Sequence, residues 1–453
     1  MKIKLLFLVM SLFIFSQNHS DHKQWKLEGA DQRISEIRKG DLNIEFITDL
    51  KIDENSNSSI NLKLVNHDFK FGVSFTQLRR FWGQEYGDLY LKRFKEVFNY
   101  ATIGMYWQLT DERSNSKFMD NYYEGILDWS EKNDIRLKGH PLMWHEAMPN
   151  WVRNFKNIEE LDGIIKEHMK RLIVSYPQIN DWDVYNEPIG PFKPHIPPSS
   201  ITEWINYKGG IYPAMVDIYE FVDSVDPNKN YSNNHYHAKD PEFFKINEFF
   251  IEKNLNYSSI GMQAHMQSND NVMSEEQLWN QIEDYAVLGK NIQFTEITVT
   301  SSERFNNWKD HQVFLAKRDE AIANGGELNL ESKPEYEEYQ ANYLRDFYTL
   351  AFSHPSVTSI TFWNMTDKNA WRGHAGGLLF KDLKPKKAFN TLKYLIKEKW
   401  DTKINSTIKS NEFNFNGFYG KYQGSITINN ERHSFEFYHS KNSKDPIKIY
   451  LYK

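Results

Sequence analysis

Between Phe69 and Trp400 the chain repeats one alternation eight times: a short apolar segment of strand length, then a loop and a longer amphipathic stretch. The strand candidates are Phe71–Phe75, Tyr100–Met105, Leu137–Met143, Trp182–Asn186, Tyr231–Asn234, Ile260–Met262, Ile292–Thr295 and Val357–Trp363. Helical periodicity follows at Tyr90–Phe98, Tyr122–Trp129, Ile158–Ile173 and Tyr336–Phe352. Eight β-then-α units over roughly 330 residues predict an α/β fold, a (β/α)₈ TIM barrel with some long loops. Such barrels keep their chemistry at the C-terminal ends of the strands, so the last residues of each candidate are where function is sought.

Three flanking pieces do not follow this pattern. Lys2 and Lys4 precede an apolar run from Leu5 to Phe15, after which the chain turns polar. At ~1.5 Å per residue that run is too short for a ~30 Å hydrocarbon core, and it reads as a signal peptide over residues 1–18. No later segment has the run of apolar residues a membrane span requires. A secreted or periplasmic address follows as an expectation. Residues 19–68 form a β-rich lead-in, with Leu42–Ile47 and Ile60–Val65 around a polar DENSNSS turn, the pattern of a β-hairpin or small β-appendage. Residues 401–453 alternate again through FNFNGFYGKY, QGSITIN and HSFEFYH, predicting a small antiparallel extension. A segment that short, without cysteine, is marginal alone and is expected to pack on the barrel of residues 69–400.

Composition narrows the chemistry. With 55 basic against 61 acidic side chains the formal net charge is −6, which offers no electrostatic footprint for nucleic acid. Cysteine is absent, so disulfides, thiolate metal sites and cysteine nucleophiles are excluded. Aromatic residues reach 15%, and Trp and Tyr faces suit sugar rings as well as cores. Phosphate-loop, dinucleotide and nucleophile-elbow patterns are missing.

Two glutamates close strand candidates four and seven: Glu187 after Asp-Trp-Asp-Val-Tyr-Asn, and Glu296 after Ile-Gln-Phe-Thr. Carboxylates on opposed strands can flank one glycosidic bond, one donating a proton to the leaving oxygen while the other attacks the anomeric carbon. His140, Trp144 and His145 at the end of strand three, and Gln263 and His265 at the end of strand six, add donors for sugar hydroxyls. A metal site is the rival reading for His140, His145, His235, His237 and His265. His145-Glu146-Ala147-Met148-Pro149 lacks the second histidine of a zincin, and Pro149 would break the helix that motif needs. Trp363 and Trp371 near strand eight are either core or a stacking platform.

In this order GHPLMWH, WDVYNEP, GMQAH, Thr295-Glu296 and FWNMTDKNAWR resemble the signature segments of glycoside hydrolase family 10, the endo-β-1,4-xylanase family. The resemblance implies a retaining hydrolase with Glu187 as acid/base and Glu296 as nucleophile. It further implies that Asn186 binds the 2-hydroxyl of the −1 sugar, that His140, Trp144 and Gln263 line that subsite, and that Trp363 and Trp371 wall it. His265 would hydrogen-bond Glu296, and His145 would support the carboxylates. The implied partner is a polysaccharide, xylan, handled by a monomer with no metal or organic cofactor. Two departures stand out. The family's Glu-Asn and Lys positions on strand two hold Thr102, Ile103 and Tyr106, and its usual Asp after the nucleophile is Thr298. The expected substrate therefore includes a different or decorated β-glycan, and a non-catalytic carbohydrate-binding barrel is the reading from another class.

Overall fold

The computed structural model describes residues 24–53, 57–114, 116–193, 196–443 and 445–451; the signal-peptide segment lies outside them. Eight parallel strands close into a barrel: β3 (Lys70–Ser74), β4 (Tyr100–Gly104), β5 (Arg136–His140), β6 (Asp181–Asn186), β7 (Asn230–His235), β8 (Ser259–Met266), β9 (Asn291–Val299) and β10 (Val357–Phe362). β10 pairs with both β9 and β3, which completes the ring. The strands are buried on both faces, as a parallel sheet ringed by helices requires; β4 and β6 are buried at every position. The expected barrel is present, and each of the eight strand candidates lies on one of its strands.

The strand ends differ in instructive ways. The third candidate ends at His140 rather than Met143, because Pro141 has no N–H to continue the ladder, and Met143 makes only an isolated bridge to Tyr185. The sixth and seventh run on to Met266 and Val299, so Gln263, His265 and Glu296 sit within strands, not beyond them. Between β9 and the helix Pro334–Phe352 an additional helix, Trp308–Ala323, overhangs the rim. Gly139 has a steric reason to be glycine: a Cβ there would meet the Trp182 ring at 2.2 Å.

The lead-in is not a hairpin. β1 (Lys39–Ile47) pairs with β12 (Glu412–Phe418) and β15 (Ile447–Tyr450), while β2 (Ser58–His67) pairs with β11 (Lys403–Thr407) and β13 (Gly420–Ile428). β13 also carries β14 (Glu431–His439). Both predicted strands exist, but each is an interior strand of its own sheet, bordered on both sides by C-terminal strands. The sheets join through aromatic contacts: Phe46 meets Phe435 at 5.6 Å and Phe415 meets Tyr422 at 5.5 Å. This sandwich rests against the N-terminal end of the barrel. There Arg38 donates to the carbonyls of Phe352, His354 and Val357, and its guanidinium covers the Phe69 and Phe352 rings. The opposite rim stays open.

Candidate active site

A cleft of about 1660 Å³ crosses the C-terminal rim, lined by both glutamates and by His140, Trp144, Asn186, Gln263, His265, Trp363 and Trp371. Of the ten residues expected to catalyse or to bind sugar, only His145 is not on its wall, and its ring abuts Gly190, which is.

Strand irregularities aim the side chains. Met262 pairs with Phe294, but the next pair is Gln263 with Glu296; on the other edge Ile360 pairs with Phe294 and Phe362 with Ile297. β9 therefore holds one extra residue at Thr295–Glu296, and both side chains reach the same neighbour, Asn234. β6 has a similar extra residue between Asp183 and Asn186. Glu187 follows it in a left-handed backbone conformation, φ 59°, costing on the order of 1 kcal/mol. The conformation is pinned by Glu187 N–H donating to Asn234 O at 2.8 Å and Gly190 N–H donating to Glu187 O at 2.8 Å.

The two carboxyl groups occupy contrasting surroundings. Glu187 accepts from Gln263 Nε2 at 3.0 Å and from Trp144 Nε1 at 3.2 Å. Its pKa is nevertheless pushed up to about 7, first by burial and then by the charge of Glu296, with Glu146 adding to both. Glu296 accepts from Asn234 Nδ2 at 3.0 Å, with His140 Nε2 3.8 Å from the same oxygen. His265 Nε2 stands 3.4 Å from its other oxygen, close but short of hydrogen-bond geometry. One acid is thus kept protonated near neutrality while the other is ringed by donors.

Neighbouring residues fix these partners. His140 Nδ1 meets Asp183 at 2.8 Å, and Asp183 also binds Lys138 at 2.6 Å and Ser232 at 2.6 Å. Burial disfavours a charged His140, but the Asp183 hydrogen bond and the charges of Glu296 and Asp183 outweigh it and raise its pKa. His265 Nδ1 meets Thr298 Oγ1 at 3.0 Å, so Thr298 supplies the anchor for this ring, and burial lowers its pKa. Asn186 Oδ1 accepts from Asn234 at 2.9 Å, which leaves the Asn186 NH₂ turned to other partners. Trp363 packs edge-on to His140 at 5.5 Å, and Trp371 covers His265 at 4.4 Å.

Sequence reasoning passed over Asn234, Lys138 and Asp183. Asn234 is the last residue of the fifth strand candidate, where the barrel rule already pointed. Lys138 and Asp183 are charged residues inside segments otherwise read as core, and that anomaly was their signal. Arg372 was also passed over; at φ 58° it places its guanidinium 4.1 Å from the Trp371 ring and 5.3 Å from Trp308.

The histidines of the metal reading do not converge. His235 is buried against Phe243 with its pKa lowered to about 3 by burial, and His237 lies on the exposed rim. Neither ring nitrogen of His145 has a hydrogen-bond partner among the described residues; Nε2 is 3.9 Å from Glu146, and Gly190 abuts the ring. His145, Glu146 and Glu187 bring ligand atoms within 4.8 Å of one another, and a cation there would compete with the Glu187 proton.

The model of glycosyl hydrolase family 10 matches residues 60–394. The chain belongs to this family. The family 10 enzyme is 24% identical over 75% of its length to endo-1,4-beta-xylanase B of Thermotoga neapolitana, covering 92% of that protein. Native xylanase 10B from Thermotoga maritima matches its fold with TM-score 0.57 at 22% identity, over 73% of this chain and 96% of that one. Xylanase 10B from Thermotoga petrophila, solved with xylobiose, matches equally at TM-score 0.57 and 21% identity, over 73% and 95%. The family 10 enzyme is a glycoside hydrolase. Among the described residues, no helix is long and apolar enough to cross a membrane.

Proposed function

We propose that this hydrolase cleaves β-1,4 linkages of a xylan-type polysaccharide by double displacement. The observation that carries the reading is the contrast between the carboxyl groups. Glu187 is protonated up to about pH 7 and bonded by Trp144 and Gln263, while Glu296 faces it within the amide and imidazole ring. Glu296 attacks the anomeric carbon while Glu187 passes its proton to the leaving oxygen. Esterification of Glu296 removes the negative charge that raised the Glu187 pKa. The lower pKa keeps Glu187 ionised once its proton has left, so it is free to act as base on the attacking water, and that water releases the sugar with its β configuration retained.

The other residues act through this pair. Asn186, with its carbonyl engaged by Asn234, offers its NH₂ to the 2-hydroxyl at −1. His140, Trp144 and Gln263 line the sugar, Trp363 and Trp371 wall it, and His265 and Asn234 orient Glu296. His145 fills the space behind Glu187, where Gly190 leaves room for its ring. Xylan as substrate draws support from the names of the relatives and from the xylobiose held by one of them. A chain that acts as a single copy, exported through residues 1–18, completes the reading.

The test is proton NMR of xylo-oligosaccharide hydrolysis together with reducing-sugar release from a panel of β-glycans. β-Anomers as first products support double displacement; α-anomers overturn it. Activity elsewhere with none on xylan removes the substrate assignment. N-terminal sequencing of the exported protein checks the leader.

A further inference from the structure

One wall of the cleft carries three cationic side chains that form no ion pair among the described residues. Arg79 and Arg80 lie on the short helical turn Leu78–Phe81 after β3, and Lys368 lies on the loop after β10; all three line the same cleft as the glutamates. Those strands are neighbours in the barrel, and Gln77 ties their loops together. Its amide donates to Thr366 O at 2.8 Å and Lys368 O at 3.1 Å, and its carbonyl accepts from Met365 N–H at 2.9 Å. Arg79 is half-buried, and its nearest hydrogen-bonding neighbour is the Met119 sulfur at 3.9 Å. The Lys368 ammonium sits over the Tyr86 ring at 4.3 Å and the Phe81 ring at 5.2 Å.

Among the described residues no carboxylate forms an ion pair with Arg79, Arg80 or Lys368. Elsewhere in the cleft, Lys193 pairs with Asp240 and Lys381 with Glu331, each at 2.7 Å. Asp367, adjacent to Lys368, is committed to the buried Lys386 at 2.7 Å. The rim of β4, on the other side of Arg79, supplies no acid either: Thr102 and Ile103 are buried, and Tyr106 presents a ring. Tyr106 links this wall to the reaction centre. It packs 5.7 Å from His140 and 5.8 Å from Trp144, and its hydroxyl lies in the fields of Glu296, Glu187 and Arg79. A sugar seated against Tyr106 would bring its substituents toward the guanidinium.

We infer that Arg79, assisted by Arg80 and Lys368, forms a subsite for an anionic group on the polysaccharide, the carboxylate of a uronic acid or a sulfate ester. The inference rests on the proposed glycanase activity and names the substrate class of that site. A guanidinium whose hydrogen-bond acceptor among the described residues is a thioether sulfur binds a planar carboxylate or a sulfate through charge-assisted hydrogen bonds, and a partly desolvated wall strengthens them.

The experiment compares kcat/KM on four β-1,4-xylo-oligosaccharides: neutral, uronic-acid-substituted, the same with its carboxyl reduced to an alcohol, and sulfated. The expected result is a roughly tenfold preference for an anionic form over the neutral one. That preference should shrink between about 20 mM and 500 mM NaCl. Whichever anionic arm is favoured identifies the carboxylate or the sulfate. Arg79→Gln should bring the anionic-to-neutral ratio close to one, and Arg79→Lys should retain part of it. A wild-type ratio near one, or a ratio unchanged in Arg79→Gln, overturns the inference. Calorimetric binding of the same sugars to the Glu296→Ala protein separates this subsite from the reaction. If no sugar is hydrolysed, the proposed function fails, and tighter binding of the anionic forms still upholds the subsite. Equal binding of charged and neutral forms overturns it.

Discussion

The two ends of the barrel handle polar groups in opposite ways. At the N-terminal end, Asp181 accepts from Lys70 at 2.5 Å, Tyr100 at 2.7 Å and Asn230 at 2.8 Å, so the first residues of four strands close on one buried carboxylate. Burial raises its pKa, but these partners outweigh burial and lower it. At the C-terminal end burial wins for Glu187, whose partners leave its pKa raised, and His145, His265 and Asn364 keep buried polar atoms without hydrogen-bond partners among the described residues. Satisfied charge holds strands together; unspent hydrogen-bonding capacity is what a substrate meets. The sandwich of β1, β2 and β11–β15 sits at the first end, where it adds cover without obstructing the cleft.

Substitutions on the two ends should separate activity from stability. Glu296→Ala should lower kcat/KM on the order of 10⁴-fold with no loss of melting temperature, because it removes the proposed nucleophile and relieves a crowd of buried acids. A variant that cleaves as fast as wild type would erase the contrast. Glu187→Gln should cost about 10²–10⁴-fold, and the loss of rate above pH 7 should disappear with it. In the wild type that limb has a definite sign: the proposed donor, Glu187, loses its proton as pH rises through about 7, so kcat/KM should fall on the alkaline side.

Asp181→Ala should do the reverse, costing about 3–5 kcal/mol in denaturant unfolding while kcat/KM of the folded protein stays close to wild type. Since the folded pKa of Asp181 is depressed, its stabilising contribution is complete above the unfolded value of about 4. It is lost as pH falls through the lower folded value, and the gap between variant and wild type should narrow there. Asn234→Ala removes a hydrogen bond to the Glu296 carboxylate and should lower kcat about 10–100-fold, with KM changing less. The smallest effect is expected from Glu146→Gln. Its charge helps to raise the Glu187 pKa, so the alkaline limb of the pH profile should move to lower pH by less than about one unit.

Much of this was legible in residue order. Strand segments buried on both faces stand out as apolar runs, and a glutamate at the end of such a run is conspicuous because acids seldom follow core segments without a task. Adjacent positions were harder to read. Nothing local distinguishes β1 and β2 from the two arms of a hairpin, because alternation records which side is buried and not which strand lies alongside. Their true neighbours are more than 330 residues away in sequence. The helix Trp308–Ala323 was overlooked because only His311 among its residues is buried, so it lacks the apolar face by which helices are found.

The order of residues by itself determined the barrel and its eight strands and singled out the two candidate acids, since burial periodicity and strand-end position are local properties. Tertiary structure decided the difference between the surroundings of the two carboxyl groups. It depends on the extra residue in β9 that turns Glu296 toward Asn234, on the donors gathered around each carboxyl, and on the field each acid exerts on the other. Those are distances through space between segments remote in the chain, and electrostatic interactions follow such distances rather than sequence separation.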